Sequence, residues 1–162
     1  MKPEDRQALL VFQQKVANLF RAVNGANRTA DDLKTRMKQI KRSLNEVPWA
    51  DRGLTQQADK IDSQLDLILR RLRGDRALQA RNENVPTAIL ERVSGIMGDT
   101  RMSIQRPTGT HMESYRIAGE EFAEVLNQLR ALYTQDITKL ENEMESAGAP
   151  WTPGRIPTWQ EQ

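Results

Sequence analysis

From Leu9 to Leu44 apolar side chains recur at alternating steps of three and four residues without a slip: Leu9, Phe12, Val16, Leu19, Val23, Ala26, Ala30, Leu33, Met37, Ile40 and Leu44. In a chain that is 38 % hydrophobic, such a run arises by chance about once in several thousand trials, so the pattern reads as a heptad stripe. A stripe of this kind lies along one side of an α-helix and has to be buried against other helices. Pro3 suits a first helical turn, the acids Glu4 and Asp5 suit the positive end of the helix dipole, and Pro48 restricts Val47. Together they predict a helix over about 4–46, which would be about 65 Å long. Asn24-Gly25 is its weak point, and Thr29 with Asp32 three residues on resembles a restart with a cap. A hairpin there is the alternative. A turn, however, has no reason to preserve the heptad phase, and Asn24 and Gly25 lie off the stripe.

The rest of the chain follows the same period. Leu54, Ala58, Ile61, Leu65, Ile68 and Leu72 predict a second helix over 52–73, with Asp51 as N-cap and Gly74 just past its end. Residues 75–85 read as a polar loop. Ile89, Leu90, Val93, Ile96 and Met97 predict a short helix over about 86–98, opened by Pro86 and closed by Gly98. A last long helix over 111–147 starts at the capping box Thr110-x-x-Glu113. Its stripe runs Tyr115, Ala118, Phe122, Val125, Leu129, then Tyr133, Ile137, Leu140, Met144 and Ala147; the shift after Leu129 is a stutter. The expected fold is therefore all-α: an elongated antiparallel helical bundle over 1–147 with three long layers, the middle one broken into two helices. A compact four-helix bundle is the alternative.

Composition narrows the chemistry. The 162 residues include no cysteine and one histidine, which excludes thiol nucleophiles, disulfides, cysteine-built metal sites and any site needing two histidines. No apolar run approaches the ~20 residues of a membrane span. His111 and Glu113 lie two apart in a first helical turn and do not share a face, so His111 reads as a surface or capping residue. Glu120, Glu121 and Glu124 read as a solvated acidic face, and no Glu-x-x-His pair is present for a di-iron bundle. No phosphate-binding glycine loop, dinucleotide fingerprint or serine elbow occurs. No catalytic residue, metal ligand or cofactor is therefore expected. Arg73-Gly74-Asp75 spells an adhesion tripeptide, but Gly74 is already accounted for as a helix terminator. Asn27-Arg28-Thr29 is formally a glycosylation acceptor inside a predicted helix.

Net charge is +2, but residues 1–48 carry 10 basic and 5 acidic side chains while residues 111–162 carry 4 and 9. The two segments are expected to pack with complementary fields. Lys34, Arg36, Lys38, Lys41 and Arg42 invite an alternative use: Lys34, Lys38, Lys41 and Arg42 on one helix could follow the phosphates of a nucleic acid. No aromatic residues are interleaved with them, which favours an interhelical or solvated role.

The most distinctive local segment is 148–162, a Pro/Trp-rich tail with no helical pattern, expected to be extended. Large apolar side chains on such a tail either fold back or dock a partner. Trp151 and Trp159 are expected to pack near Pro48 and Trp49 as a cap on the bundle end, or to serve with Pro153 and Arg155 as anchors for another domain. A continuous heptad also permits a homo-oligomer.

Ala147-Gly148-Ala149-Pro150-Trp151-Thr152-Pro153-Gly154-Arg155-Ile156-Pro157, with Glu120-Glu121-Phe122-Ala123, Leu129-Arg130-Ala131-Leu132, Arg81-Asn82-Glu83 and Asn24-Gly25-Ala26-Asn27-Arg28, resembles the C-terminal helical region of large bacterial β-propeller proteins of the sortilin-like, BNR-repeat group, often labelled glycosyl hydrolase. The resemblance spans most of the chain and is most specific in the tail. It implies a propeller preceding Met1, an extracytoplasmic parent, and a structural or protein-binding role here. The propellers' Ser-x-Asp-x-Gly-x-Thr-Trp box does not occur in these residues, so any hydrolase activity would belong to the propeller. The expected function is a non-enzymatic module that docks against its own propeller or another protein.

Overall fold

A computed structural model describes residues 2–47, 51–75, 78, 80–81 and 85–160. The helices with both ends described are α1 (Pro3–Asn45), α2 (Arg52–Arg73), α3 (Ile89–Arg101), α4 (Gly109–Ala131) and α5 (Ile137–Ser146), the last two joined by a π-helical turn over Leu132–Asp136. The protein is an all-α helical bundle. It divides into two compact units, Met1–Arg28 with Ile68–Asn127, and Thr29–Leu67 with Gln128–Gln162.

α1 runs unbroken through Asn24 and Gly25. Ten of its eleven stripe residues are buried and Leu19 is half-buried. Gly25 is tolerated because it is exposed, so its cost is only the ~1 kcal/mol of helix propensity. Asn24 does not turn the chain either; its Nδ2 donates to the Phe20 carbonyl one turn back at 2.9 Å.

In the first unit, Leu9, Phe12, Val16 and Val23 of α1 share a core with Ile68 and Leu72 of α2, Ile89, Val93 and Ile96 of α3, and Ala118, Phe122 and Val125 of α4. Phe12 meets Tyr115 edge to face at 5.8 Å. In the second unit, Leu33, Met37, Ile40 and Leu44 of α1 are buried with Leu54, Ile61 and Leu65 of α2, Leu132 of the π turn, and Ile137, Leu140 and Met144 of α5.

α2 begins and ends as expected. The Gly53 N–H donates to Asp51 Oδ1 at 3.0 Å, capping the first turn. Gly74 takes φ 83° and its N–H donates to the Arg70 carbonyl at 2.8 Å. α3 departs from the expected 86–98. Residues 85–88 are not helical, the buried Ala88 is extended, and the helix runs past Gly98 to Arg101. The extra turn is held by Thr100, which is buried with its hydroxyl on the Ile96 carbonyl at 2.7 Å, while Gln13 Nε2 donates to the Thr100 carbonyl at 2.7 Å. A side chain from α1 thus adds a second donor to a helix-end carbonyl that also accepts from the Ser103 N–H at 3.3 Å.

The last helical stretch starts earlier than 111 and with another cap. Thr108, not Thr110, is the N-cap: the His111 N–H donates to Thr108 Oγ1 at 3.2 Å, and the Thr108 N–H donates back to His111 Nδ1 at 3.4 Å. This is a capping box with His111 in the position usually held by Glu or Gln. Glu113 instead pairs with Arg116 on the helix surface. The stutter after Leu129 becomes the π turn. Leu132 and Ile137, five residues apart, are both buried, whereas Tyr133, expected on the stripe, is half-exposed. One widened turn therefore restores the phase that the sequence breaks.

α5 ends in a Schellman motif. Gly148 has φ 77°, its N–H donates to the Glu145 carbonyl, and the Ala149 N–H donates to the Met144 carbonyl, both at 3.0 Å. Ala149 is buried as the motif's apolar contact, while Ala147, expected on the stripe, is exposed.

Two glycine substitutions test these assignments in opposite directions. Gly25→Ala meets no atom within 4 Å and should raise stability by about 0.5–1 kcal/mol. Gly148→Ala forces a side chain into φ 77° and should lower it by about 1–2 kcal/mol. Urea unfolding of both variants checks the pair; destabilisation by Gly25→Ala would show that α1 is not continuous.

Candidate functional site

The tail beyond α5 is tied down by polar contacts rather than by its tryptophans. After the Schellman glycine and Pro150, Thr152 is buried and its hydroxyl donates to Glu141 Oε1 at 3.2 Å. Pro153 and Gly154 then form a turn in which Gly154 has φ 89° and the Arg155 N–H donates to the Thr152 carbonyl at 3.2 Å. Pro at the second and Gly at the third position is the composition a type II turn demands. The reversal brings Arg155 back onto α5, where Nε reaches Glu145 Oε1 at 2.6 Å and Nη2 reaches Glu145 Oε2 at 2.8 Å, with Asn142 Oδ1 also accepting from Nη2. A two-pronged guanidinium pair of this kind fixes direction as well as position.

Beneath this clamp lies Glu141, 1 % exposed. Arg36 of α1 grips it with Nε on Oε1 at 2.7 Å and Nη2 on Oε2 at 2.5 Å. Arg155 Nε stands 4.0 Å from Oε2. The buried carboxylate thus joins α1, α5 and the tail, and its pairing offsets the cost of removing its charge from water. The Arg155 hydrogen bond and charge outweigh desolvation at Glu145 and hold its carboxyl below the usual carboxylate range. Both acids are engaged by guanidinium groups, an arrangement suited to clamping.

Beyond the clamp the chain is exposed. Ile156 is 88 % and Trp159 82 % accessible, and Trp151 is 38 % accessible. Trp159 therefore faces solvent and Trp151 is partly exposed, while the expected packing of both near Pro48 and Trp49 falls on residues outside those described. Pro153 sits in the turn and is exposed. Trp49 and Pro48 lie outside the described residues. Of the expected anchors, the structure brings Pro153 and Arg155 to the base of the strip and leaves Trp159 near its end. Sequence reading missed Glu141, Glu145 and Thr152, and named Arg36 only within the basic stretch, without its partner; the Pro153-Gly154 pair was the available sign that Arg155 turns back.

The basic stretch of α1 is largely engaged by α2. Lys34 is bonded to Asp62 and lies 2.9 Å from Asp66, and Lys41 lies 2.7 Å from Asp59 and 3.1 Å from Asp62. Burial raises the Asp62 pKa, but the hydrogen bonds and charges of Lys34 and Lys41 outweigh it and hold that carboxyl below its ordinary value. At Lys34 burial works downward and is overcome by Asp62 and Asp66, which raise it. At Lys41 the Asp59 hydrogen bond is the largest influence and also raises it. Arg42 pairs with Glu46 at 3.4 Å and Lys38 is exposed. The expected complementarity of first and last segments is thus realised at Arg36 and Glu141, while Lys34 and Lys41 take their counter-charges from α2. Among the described residues no cluster of three or more acidic, His or Cys groups could hold a metal. Among the described residues, likewise, no helix is long and apolar enough to cross a membrane.

Two substitutions probe these networks. Glu141→Gln leaves Arg36 without its counter-charge and should cost about 3 kcal/mol or more of stability. Thermal and urea unfolding measure it, and a loss under about 1 kcal/mol would remove Glu141 from its central place. Asp62→Asn should cost about 1–3 kcal/mol at neutral pH. Because the Asp62 pKa is depressed on folding, its contribution is present above about pH 4 and lost as pH falls through the depressed value. Lys34 and Lys41, raised on folding, contribute below about pH 10 and lose that contribution as pH rises through their raised values. The stability gap between wild type and Asp62→Asn should therefore close on acidification, as followed by urea unfolding at a series of pH values.

No protein-family model, curated protein or solved structure matches this chain.

Proposed function

We propose that this chain is a non-enzymatic interaction module in which the helical bundle displays a clamped apolar strip, Ile156 to Trp159, to a protein partner. The observation that carries the reading is the contrast across Arg155. The side chain of Arg155 is locked to Glu145, while Ile156 and Trp159, immediately beyond it, are 88 % and 82 % exposed. Exposing two large apolar side chains on one strip is unfavourable for the isolated chain, and aromatic residues are frequent anchors of binding energy at interfaces. A fixed base lowers the ordering cost of docking.

The resemblance to the helical region of BNR-repeat propeller proteins suggests the partner: the propeller of a larger parent polypeptide, against which this module docks from the C-terminal side. On that reading any sugar hydrolysis belongs to the propeller, and the module works outside the cytoplasm. Nucleic-acid binding through Lys34, Lys38, Lys41 and Arg42 is disfavoured by the engagement of Lys34 and Lys41 with α2 carboxylates.

Immunoblotting of source cells and medium with antiserum against this chain tests the larger frame. A band near 18.5 kDa overturns the propeller assignment, and a far larger one supports it. Within that larger polypeptide, Ile156→Ser with Trp159→Ser should leave the bundle's melting temperature unchanged and speed limited proteolysis between bundle and propeller several-fold. Unchanged cleavage would remove the strip from the docking role.

A further inference from the structure

Asn24-Gly25 is the one Asn-Gly step in the sequence. Such a step carries its own electrophile and nucleophile: the side-chain amide carbon of the asparagine and the backbone nitrogen of the glycine, which no Cβ shields. Attack by the Gly25 nitrogen on Asn24 Cγ forms a C–N bond and a cyclic imide, breaks the Cγ–Nδ2 bond, and releases ammonia with the proton that the glycine nitrogen gives up. Water then opens the imide. Cleavage of its bond to Cγ leaves aspartate at position 24; cleavage of its bond to the backbone carbonyl carbon leaves isoaspartate, whose main chain is one carbon longer.

The surroundings of the step leave room for this reaction. Gly25 is exposed, a Cβ placed on it would meet nothing within 4 Å, and Asn24 is half-buried. Helical geometry is what opposes it. The Gly25 nitrogen lies inside an unbroken helix, where its N–H is directed at the carbonyl one turn back. The Asn24 side chain leans the same way, as helical side chains do, and its Nδ2 donates to the Phe20 carbonyl at 2.9 Å. The amide carbon is therefore held toward the preceding turn, while the nitrogen that has to reach it belongs to the following residue.

We propose that Asn24 is a dormant self-modification site: α1 blocks imide formation while it stays helical, and lasting local opening converts the step to isoaspartate, which breaks α1 permanently. Val23 and Ala26, on either side of the step, are both buried stripe positions. A longer main chain between them puts the two parts of the stripe out of phase, so the modified helix cannot bury both. The proposal rests on the continuity of α1 and is independent of the docking role of the tail.

Incubation of the full chain in mildly alkaline buffer, with and without enough urea to unfold it, tests the proposal. Peptide mass spectrometry reads the exchange of amide for acid at Asn24, and an isoaspartate assay reads the product. Modification should be about a hundredfold or more slower in the folded chain, because it has to wait for local opening. Ala22→Gly, at an exposed position of the same turn, should speed the reaction of the folded chain about fivefold by easing that opening, and leave the rate in urea unchanged. Gly25→Ala should slow the reaction in urea about tenfold or more, because the added methyl crowds the attacking nitrogen. The isoaspartate chain, isolated and returned to buffer, should lose helical circular dichroism and melt lower. Asn24→Asp, which adds the charge without the extra carbon, should keep the wild-type helix content.

Equal rates in the folded and unfolded chain, a folded Ala22→Gly chain that reacts no faster than wild type, or an isoaspartate chain that refolds with the wild-type melting temperature would overturn the proposal. None of these outcomes bears on the strip beyond Arg155.

Discussion

Everything in this protein follows from one stripe of side chains that has to be kept from water along the length of α1. No residue from Leu9 to Leu44 interrupts it, so a partner surface is needed at each turn. In the first unit that surface comes from the end of α2, from α3 and from α4. In the second it comes from the start of α2, the π turn, α5 and the tail. Local irregularities are subordinate to this demand. The weak Asn24-Gly25 step remains helical because the helix on both sides is held by burial. The broken phase after Leu129 is absorbed by one widened turn because Leu132 and Ile137 both have to be buried.

Charge is placed around that apolar seam with the same economy. Residues flanking stripe positions on α1 pair outward to different partners: Lys34 and Lys41 to aspartates of α2, Arg36 to the buried Glu141 of α5. Exposed ion pairs contribute little, but a carboxylate with 1 % exposure is a different case, since its desolvation is tolerable only while its partners stay in place. Glu141 accepts from Arg36 and from Thr152, so the packing of α5 on α1 and the path of the tail are set by one group. Exchanging it for an apolar residue of similar size would remove the cost of desolvation and also remove the register it imposes.

The tail shows how a polar clamp makes an apolar strip available. A Schellman glycine stops α5, a Pro-Gly turn reverses the chain, and Arg155 locks the reversal to Glu145. Each device is local and inexpensive in stability, and their sum leaves Ile156 and Trp159 displayed from a fixed base. A free terminus with the same composition would lose far more conformational entropy on meeting a partner. Preorganisation is therefore the physical content of the proposed docking role.

The helical class, α1 as a single helix, both ends of α2 and most buried positions were legible in the sequence. Heptad spacing, Asp51, Gly74 and Pro3 act through local backbone geometry and helix periodicity, which need only a few neighbours to operate. Other features depended on groups distant in sequence. α3 extends to Arg101 because Gln13, 87 residues away, bonds the Thr100 carbonyl. Thr108 displaced Thr110 as the cap because His111 could complete the reciprocal pair, although its spacing is no better advertised than that of Glu113. The exposure of Trp159 and the burial of Glu141 ran against hydropathy, since composition ranks single residues while burial is decided by which partners tertiary packing brings within reach. Periodicity determined what this chain had to bury; only the packed structure decided which polar groups went in with it and which apolar ones were left outside.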